Sequence, residues 1–489
     1  MAWTCACMID SENIDGAAPV CRCSARATQL AFQRIEASLS RRYMLGGIAA
    51  WLGLFAGFGL NSGRASAQTP DKPLLLENLR LFNGRDLRLR DDVDVLIEGN
   101  AIKALLTRGQ GPREAEHIDC GGLSLIPGLI DAHWHMTIAA VPEVVALTAD
   151  VNYVLLVAAR EAEATLQRGF TTVRDVGGPS FALKRAIDEG VVNGPRVFPS
   201  GAMISQTSGH GDFRLLNELP RTALSTLSYA ERAGMSAIAD GEDQVLLRVR
   251  EQLMRGASQI KILAGGGVAS HYDPLDTAQF TEREMRAAVD AAQDWGTYVC
   301  AHVYTSEGIR RSVRAGVKSI EHGQLADEDT VKFMADHHVW WSLQPFLGDE
   351  DANPYTDPQR RAALLKVAEG TVNAYRWAKK HGVPIAFGTD ILMAPGKTAT
   401  QGKQLAKLAQ FMSPLEALRV ATGNNGKLLA LAGERAPYGG APLGYITPGA
   451  PADVLLVEGN PERDLSFLVD PARTLRLIVK DGRIHKRTI

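Results

Sequence analysis

The sequence predicts an α/β protein built on a closed (β/α)8 barrel, or TIM barrel, with a small β-sandwich domain beside it. Along the middle of the chain, short apolar strands alternate with amphipathic helices. Eight such strands can be counted, and eight β-then-α repeats favour a closed barrel over an open sheet. Strand–turn–strand patterns recur near both chain ends, which indicates one small sheet domain assembled from both.

The patterns divide the chain into an N-terminal extension with an export signal (1–67), a first part of the β domain (68–127), the barrel (128–431) and a second part of the β domain (432–489). The β-domain strands are predicted at 74–82, 93–97, 102–106, 454–457 and 475–479. The barrel strands are predicted at 129–133, 171–175, 196–200, 259–263, 298–302, 319–322, 339–343 and 385–390.

Amphipathic helices fit between the barrel strands, for example at 153–168 and 281–295. The connections 203–244 and 344–369 are longer than a minimal βα loop and follow strand C-terminal ends. We therefore expect them to form lids over a site.

The composition excludes several classes of protein. The chain has 53 Lys and Arg against 55 Asp and Glu, and 45% of its 489 residues are hydrophobic. Such a chain folds as an ordinary globular protein rather than a disordered or collagen-like one. With no basic excess, nothing indicates a nucleic-acid partner.

Residues 40–67 resemble a twin-arginine export signal. Arg41 and Arg42 precede a Gly- and Ala-rich apolar run, and the segment ends in Ala65-Ser66-Ala67, an Ala-x-Ala cleavage pattern. A retained membrane anchor is the alternative, but the run is short for a bilayer and diluted by glycine. We expect cleavage near Ala67, export to the periplasm or medium, and no stable membrane association afterwards.

Potential metal ligands stand where the predicted barrel strands end. His133 and His135 are two residues apart on an extended strand, so both imidazoles can reach one ion from one side. Alone, such a pair is as often incidental as functional. Four further residues stand at or near the C-terminal ends of separate strands: Lys261, His302, His322 and Asp390. Because those ends converge at one mouth of a barrel, the set predicts a metal site.

Two segments carry a resemblance to the metal-dependent amidohydrolase superfamily. They are Ile-Pro-Gly-Leu-Ile-Asp-Ala-His-Trp-His at 126–135 and Pro-Gly-Ala-Pro-Ala-Asp-Val at 448–454. Within it the chain is similar to the group of Xaa-Pro dipeptidase-like carboxypeptidases and ochratoxin-hydrolysing amidases. The resemblance implies two divalent ions, one on His133, His135 and Asp390, the other on His302 and His322, with Lys261 bridging both as a carbamate. Histidine, carboxylate and carbamate suit zinc first, then manganese or cobalt.

Lys261 is the least ordinary member of this set. An ammonium beside two cations would be repelled, whereas a lysine carbamate is an anion whose two oxygens can span two ions. Burial and nearby cations lower a lysine pKa and so favour the neutral amine from which the carbamate forms. The alternative is a lysine paired with an acid, but the Gly-Gly-Gly run at 265–267 matches the family's turn beside the site.

The resemblance implies amide hydrolysis by a hydroxide held between the two ions. Asp390 would take up the proton and deliver it to the departing nitrogen. Tyr304 and His210 are expected to contact the substrate, with packing and loop roles as their alternatives, and His271 is a weaker candidate. The expected substrates are dipeptides or N-acyl amino acids, ochratoxin A among them, from which a C-terminal amino acid is released.

Two other functions compete with this interpretation. A cyclic-amide hydrolase of the imidazolonepropionase type, or a deaminase, commonly uses one metal and lacks the lysine on strand four. An inert barrel used for binding or assembly typically loses several ligands, whereas all six are present here. The usual Asn-Ala-Ala stretch of the family reads Ala-Thr-Gly-Asn-Asn-Gly at 421–426, which leaves the substrate preference open. A homo-oligomer is compatible with the sequence, which does not give the subunit count.

Overall fold

The computed structural model describes residues 72–218, 225–268, 272–352 and 355–489. The predicted extension and export signal at 1–67 and the candidate His271 lie outside these residues. Within the described part of the chain, no helix combines the length and apolar character needed to span a membrane.

Six short strands precede the barrel: β1 Leu74–Glu77, β2 Arg80–Leu81, β3 Val93–Glu98, β4 Ala101–Thr107, β5 Glu116–Asp119 and β6 Ser124–Pro127. Four of them form a sheet in the order β4-β3-β1-β5. The prediction of one strand over 74–82 is wrong, because Asn78 adopts a positive φ of 52° and breaks it. The second piece, β2, pairs instead with β6 in another sheet.

The second small sheet takes strands from both ends of the chain. The C-terminal strands are β17 Val454–Val457, β18 Leu475–Lys480 and β19 Arg483–Arg487, and the sheet order is β19-β18-β17-β6-β2. β17 runs antiparallel to β6, with Leu456 opposite Leu125. Side chains of both sheets, including Val95 and Leu477, belong to one apolar cluster.

The middle of the chain carries the barrel strands: β7 Leu129–Trp134, β8 Phe170–Asp175, β9 Arg196–Pro199, β10 Met203–Ser205, β11 Ser236–Ile238, β12 Ile260–Leu263, β13 Val299–Thr305, β14 Ser319–Leu325, β15 Trp340–Leu343 and β16 Ile385–Phe387. They form two parallel sheets, β7-β8-β9 and β11-β10-β12-β13-β14-β15-β16. Strands occupy all eight predicted positions, and the α/β TIM-barrel-like fold is confirmed.

Hydrogen bonds join the two barrel sheets. At one seam, the Asn425 side-chain amide donates to the carbonyls of Ile130 and Phe387, on β7 and β16, and accepts from Phe387 N–H. At the other seam, the Gln259 amide donates to the carbonyls of Asp175 and Phe198. Buried side-chain amides therefore connect strands that do not pair through their backbones.

Thirteen α-helices lie in the described residues: α1 Glu143–Thr148, α2 Val151–Gln167, α3 Phe181–Asp188, α4 Tyr229–Arg232, α5 Glu242–Met254, α6 Glu282–Asp294, α7 Ser306–Ala315, α8 Glu328–Asp336, α9 Pro358–His381, α10 Gln401–Ala406, α11 Pro414–Arg419, α12 Asn425–Leu429 and α13 Pro471–Thr474. The predicted helices at 153–168 and 281–295 correspond to α2 and α6, and Thr281 with Glu284 forms a capping box.

The predicted lid segments are shorter than expected. The Asp357 side chain caps α9 and Pro358 occupies its first turn, so the irregular part after β15 ends near 357 rather than 369. The connection at 203–244 contains β10, α4 and β11.

Candidate metal centre

Two imidazoles and one carboxylate meet at the carboxyl ends of the first and last barrel strands. The Nε2 atoms of His133 and His135 each lie 3.2 Å from Oδ1 of Asp390. Asp390 N–H donates to the His133 carbonyl, so the residues following β16 are hydrogen-bonded to β7 at this point. The side chains of both histidines are almost completely buried.

The other nitrogen of each imidazole, Nδ1, already has a hydrogen-bond partner. His133 Nδ1 lies 2.8 Å from Oε2 of Glu321, and His135 Nδ1 lies 3.1 Å from the Gly177 carbonyl oxygen. Both partners are acceptors, so each Nδ1 carries a proton, and the Nε2 atom of each ring faces Asp390. Two ring nitrogens and one carboxylate oxygen thus converge on one point, as the ligands of one ion would. Their spacing suits a metal, because ligands bonded at 2.0–2.1 Å in a tetrahedral site lie about 3.4 Å apart.

A second pair of histidines lies beside the first group. The His302 and His322 rings have centroids 4.5 Å apart, and His322 is 4.8 Å from the His133 ring. His302 Nε2 contacts the Gly266 carbonyl oxygen at 3.2 Å, and His322 Nδ1 contacts Gln344 Oε1 at 2.8 Å. One nitrogen of each ring is left for a cation.

The charge states in this group suit cation binding. Burial lowers the pKa of both His302 and His322 well below 6.5, so the rings are neutral near pH 7. Burial opposes ionisation of Asp390, but the neighbouring imidazoles outweigh it and hold the pKa of that carboxyl well below 3.8. The neutral rings of His302 and His322 and the ionised carboxylate of Asp390 are ligand types that divalent transition metals prefer.

Lys261 lies on β12, and its side chain is completely buried. Burial lowers its pKa, against the opposing influence of Glu321, Cys300 and Asp390. Among the described residues, no carboxylate oxygen lies within 4.0 Å of its Nζ. This speaks against the alternative in which the lysine pairs with an acid, while the carbamate stays a prediction.

Two of the candidate ligands have an unusual backbone conformation. His322 has φ of 73° and Asp390 has φ of 53°, the left-handed region that non-glycine residues rarely adopt. Such conformations persist only where the surroundings impose them, and they cluster at functional sites. His322 lies within β14, and Asp390 follows the end of β16.

Sequence analysis does not identify the groups that hold these ligands. Arg174, fully buried, donates to both carboxylate oxygens of Glu321 at 2.7 Å, and Glu321 in turn holds His133. Asp131 accepts from the backbone of His133 and Thr389 and thereby ties β7 to the segment before Asp390. Glu321 and Asp131 each stand beside a histidine or within the 126–135 motif, which is a signal for a supporting role but not for its geometry.

Asp175, at the end of β8, also supports the site without entering it. Its carboxylate accepts from Met136 N–H and from the Ser180 hydroxyl. Burial raises the pKa of Asp175 to about 6. These contacts orient the chain just after His135.

The predicted substrate-contacting residues lie against the histidine cluster. Tyr304 stacks on His322 with ring centroids 5.0 Å apart, and His210 stacks on His302 at 4.0 Å. Burial, reinforced by Asp390 and Tyr355, raises the pKa of Tyr304 well above 10, so its hydroxyl keeps its proton. His210 Nδ1 lies 2.8 Å from Oδ2 of the buried Asp273. The structure places both residues beside the cluster, and their contact with substrate stays a prediction.

Residues 124–484 match the Amidohydrolase family. An ochratoxinase of Aspergillus niger is 34% identical over 334 residues, which cover 66% of each chain, slightly under two thirds of the relative's length.

Solved structures of similar proteins include an amidohydrolase with 35% identity and a TM-score of 0.77, covering 85% of this chain and 99% of its own. A prolidase complexed with N-methylphosphonate-L-proline has 33% identity and a TM-score of 0.77, covering 85% and 100%. A Xaa-Pro dipeptidase with bound methionine has 28% identity and a TM-score of 0.74, with the same coverage. With its barrel-like fold and its cluster of histidines and aspartate at the strand ends, the chain belongs to the amidohydrolase family.

Proposed function

We propose that the protein is a binuclear metal-dependent amidohydrolase that releases a C-terminal amino acid from dipeptides or N-acyl amino acids. The observation that carries the proposal is the convergence of His133 Nε2 and His135 Nε2 on Asp390 Oδ1, each at 3.2 Å, while the Nδ1 atoms of both rings are held by other acceptors. Two imidazole nitrogens and a carboxylate oxygen at this spacing are a typical ligand set for a divalent transition metal.

Two ions would be held by His133, His135 and Asp390 on one side and by His302 and His322 on the other. Lys261 is buried, and no carboxylate oxygen of the described residues lies within 4.0 Å of its Nζ, so it fits the role of a bridging carbamate. Zinc suits these donors first. When bound, such ions polarise an amide carbonyl and make water acidic enough to attack near neutral pH.

The chain's own side chains would move the proton and hold the substrate. Asp390, ionised at neutral pH, can accept a proton from the attacking water and deliver it to the amide nitrogen, which leaves poorly unless protonated. Tyr304, still protonated, can donate a hydrogen bond to the substrate carbonyl or carboxylate. The Asp273 carboxylate accepts from His210 Nδ1 and so orients that ring for its predicted contact with the substrate.

Similar proteins support this substrate class. Their names include ochratoxinase, prolidase and Xaa-Pro dipeptidase, and one is complexed with N-methylphosphonate-L-proline. A carboxylate-bearing residue on the leaving side of an amide is therefore the expected substrate. Ochratoxin A belongs in the first panel to be tested. The buried Lys261 disfavours the one-metal alternatives, cyclic-amide hydrolysis and deamination.

A metal analysis combined with a substrate panel tests the proposal. Zinc-loaded protein and a Lys261→Met variant would be assayed with dipeptides, N-acyl amino acids, lactones and cyclic imides, with and without chelator. We expect two ions per wild-type chain, at most one in the variant, and chelator-sensitive hydrolysis of the amides alone. Unchanged metal content in the variant, or turnover confined to lactones and cyclic imides, would contradict the proposal.

We also propose that the eight barrel strands close into one (β/α)8 barrel, that the two small sheets form a β-sandwich from 68–127 and 432–489, and that the protein is exported and cleaved near Ala67. The seams bridged by Asn425 and Gln259 support closure. N-terminal sequencing of the exported protein tests the cleavage, and a mature chain that still begins before residue 60 would contradict it.

A further inference from the structure

Helix α9 turns one face toward the histidine cluster, and an arginine stands at the mouth end of that face. Ala363, Leu364 and Val367 pack in one apolar cluster with Tyr304. Arg360 precedes these residues by three, four and seven positions, so it lies on the same helix face. It is half-buried.

A short segment connects this arginine to a candidate metal ligand. Arg360 Nε donates to the Val268 carbonyl at 3.3 Å. Two residues earlier, the Gly266 carbonyl contacts His302 Nε2 at 3.2 Å. Since consecutive Cα atoms are 3.8 Å apart, Gly266 and Val268 are separated by at most about 7.6 Å. The arginine therefore stands at the edge of the site.

Most of the guanidinium's hydrogen-bonding capacity is unused. Its carbon lies 4.7 Å from the centroid of the Tyr355 ring, and only Nε donates a hydrogen bond. In the described residues, neither Nη atom donates a hydrogen bond, and no carboxylate oxygen lies within 4.0 Å of either. The nearby Asp357 carboxylate accepts from the backbone N–H of Arg360 instead. Two parallel N–H donors on a rigid plane match the two oxygens of a carboxylate.

Three aromatic residues, Tyr304, Phe346 and Tyr355, form an aromatic wall beside the arginine and the histidines. Tyr304 stacks on His322, and the Phe346 ring is 6.1 Å from the His322 ring and parallel to it. Tyr355 and Phe346 pack in the same cluster as Tyr304. A side chain lying on these rings would be apolar and large.

We propose that Arg360 binds the α-carboxylate of the residue released from the substrate, while Tyr304, Phe346 and Tyr355 contact its apolar side chain. The inference rests on the proposed function, because the α-carboxylate is separated from the scissile carbonyl only by the amide nitrogen and one carbon. The substrate class is thus narrowed to amides of bulky apolar amino acids with a free carboxylate.

Kinetics with N-acetyl-L-phenylalanine and its carboxamide test the contact. Arg360→Gln should lower kcat/KM for the acid by about 10- to 100-fold, mainly through KM, because a charge-assisted hydrogen bond is lost. The carboxamide should change less than about threefold, and Arg360→Lys should retain part of the preference because it keeps only the charge. The matched control is Arg361→Gln, an exposed arginine one position away, which should behave as wild type.

The outcomes separate this contact from the proposed function. If the wild type cleaves the acid but Arg360→Gln keeps its KM, or if both substrates lose rate equally, Arg360 does not bind the carboxylate. If the wild type cleaves neither compound, the proposed function is wrong. Calorimetric binding of N-acetyl-L-phenylalanine then decides whether Arg360 binds the carboxylate. Binding weakened at least tenfold by Arg360→Gln supports the contact, whereas equal or absent binding overturns it.

The aromatic wall has its own test. Phe346→Ala should reduce kcat/KM for N-acetyl-L-phenylalanine more than for N-acetyl-L-alanine, because only the larger side chain reaches the ring. Equal loss of kcat/KM for both substrates would mean that the aromatic wall does not contact the substrate side chain. The proposed contact of Arg360 with the carboxylate would then depend on the first experiment alone.

Discussion

Buried charge is arranged differently at the two ends of the barrel strands. At the amino end of β9, the buried Arg196 guanidinium contacts the carboxylates of both Asp453 and Asp481, which flank strands of the five-stranded sheet. At the carboxyl end, the Asp390 carboxylate faces the Nε2 atoms of His133 and His135, and no lysine or arginine of the described residues lies within 4.0 Å of it.

The difference separates a structural junction from a functional one. Where each buried charge has an opposite partner, the contact holds two parts of the fold together and needs nothing further. Where a buried carboxylate faces imidazole nitrogens, the same groups can serve as the ligands of a cation. Substitutions at the first end should therefore change stability, and those at the second end activity and metal content.

The largest effect is expected from Asp390→Asn. The isosteric amide cannot carry the proton and is a poorer metal ligand, so kcat should fall by about 10²- to 10⁴-fold. The metal content should fall as well, because an amide oxygen binds a divalent cation more weakly than a carboxylate. Steady-state kinetics and metal analysis measure the two quantities. A variant that keeps a tenth of the wild-type kcat would contradict the assignment.

Arg196→Met should lower the stability of the protein and leave its turnover unchanged. Removing the guanidinium leaves two carboxylates without their cation, and breaking a buried pair typically lowers the free energy of unfolding by about 3–5 kcal/mol. A loss near the lower end of this range is expected, since the Asp481 side chain is 35% exposed and solvent screens part of its interaction with Arg196. Urea unfolding gives this loss, while kcat per folded molecule should match wild type. A variant with wild-type stability and impaired turnover would contradict the structural role of Arg196.

Gln344→Leu tests how far the hydrogen bond to His322 supports metal binding at the carboxyl end of the strands. The change removes the acceptor at His322 Nδ1, and loss of such a supporting contact typically weakens metal affinity by about 10- to 100-fold. Competition with a chelator should show one weakened ion and one unchanged ion. Gln344→Glu, which keeps an acceptor, is the control. Equal loss of both ions would mean that the leucine disturbs the whole site.

A smaller effect should appear in the pH dependence of stability. Burial raises the pKa of Asp481, but Arg196 and Lys480 outweigh it and hold the pKa below 3.8. Because the folded pKa lies below the unfolded one, the pair stabilises the protein above about pH 3.8, and this contribution is lost as the pH falls through the folded pKa. Acid titration of unfolding should show a shallower loss for Asp481→Asn. Identical slopes would mean that Asp481 does not contribute.

Much of the fold could be predicted because local periodicity specifies it. The eight barrel strands and two helices appear where apolar spacing places them, whereas Lys261 and His302 lie inside their strands and Asp390 follows the end of β16. The strand predicted at 74–82 failed because a single backbone turn at Asn78 sends its two halves into different sheets. Apolar pattern alone does not reveal such a turn.

The supporting groups could not be predicted for a different reason. Glu321, Arg174 and Gln344 act through partners between 22 and 188 positions away in the chain. Which carboxylate faces which imidazole depends on strand register and on side-chain rotamers across the barrel. Neither is encoded in the spacing of residues along one strand.

By itself the sequence determined the order of strands and helices, and therefore which polar residues end up at the carboxyl ends of parallel strands. Only the tertiary structure decided which nitrogen of His133 and His135 faces Asp390, that Lys261 is buried with no carboxylate within 4.0 Å in the part of the chain that the structure describes, and that Arg360 turns toward the histidine cluster. The physical reason is that periodicity is a local property of the chain. Hydrogen-bond direction and burial arise only when distant segments pack together.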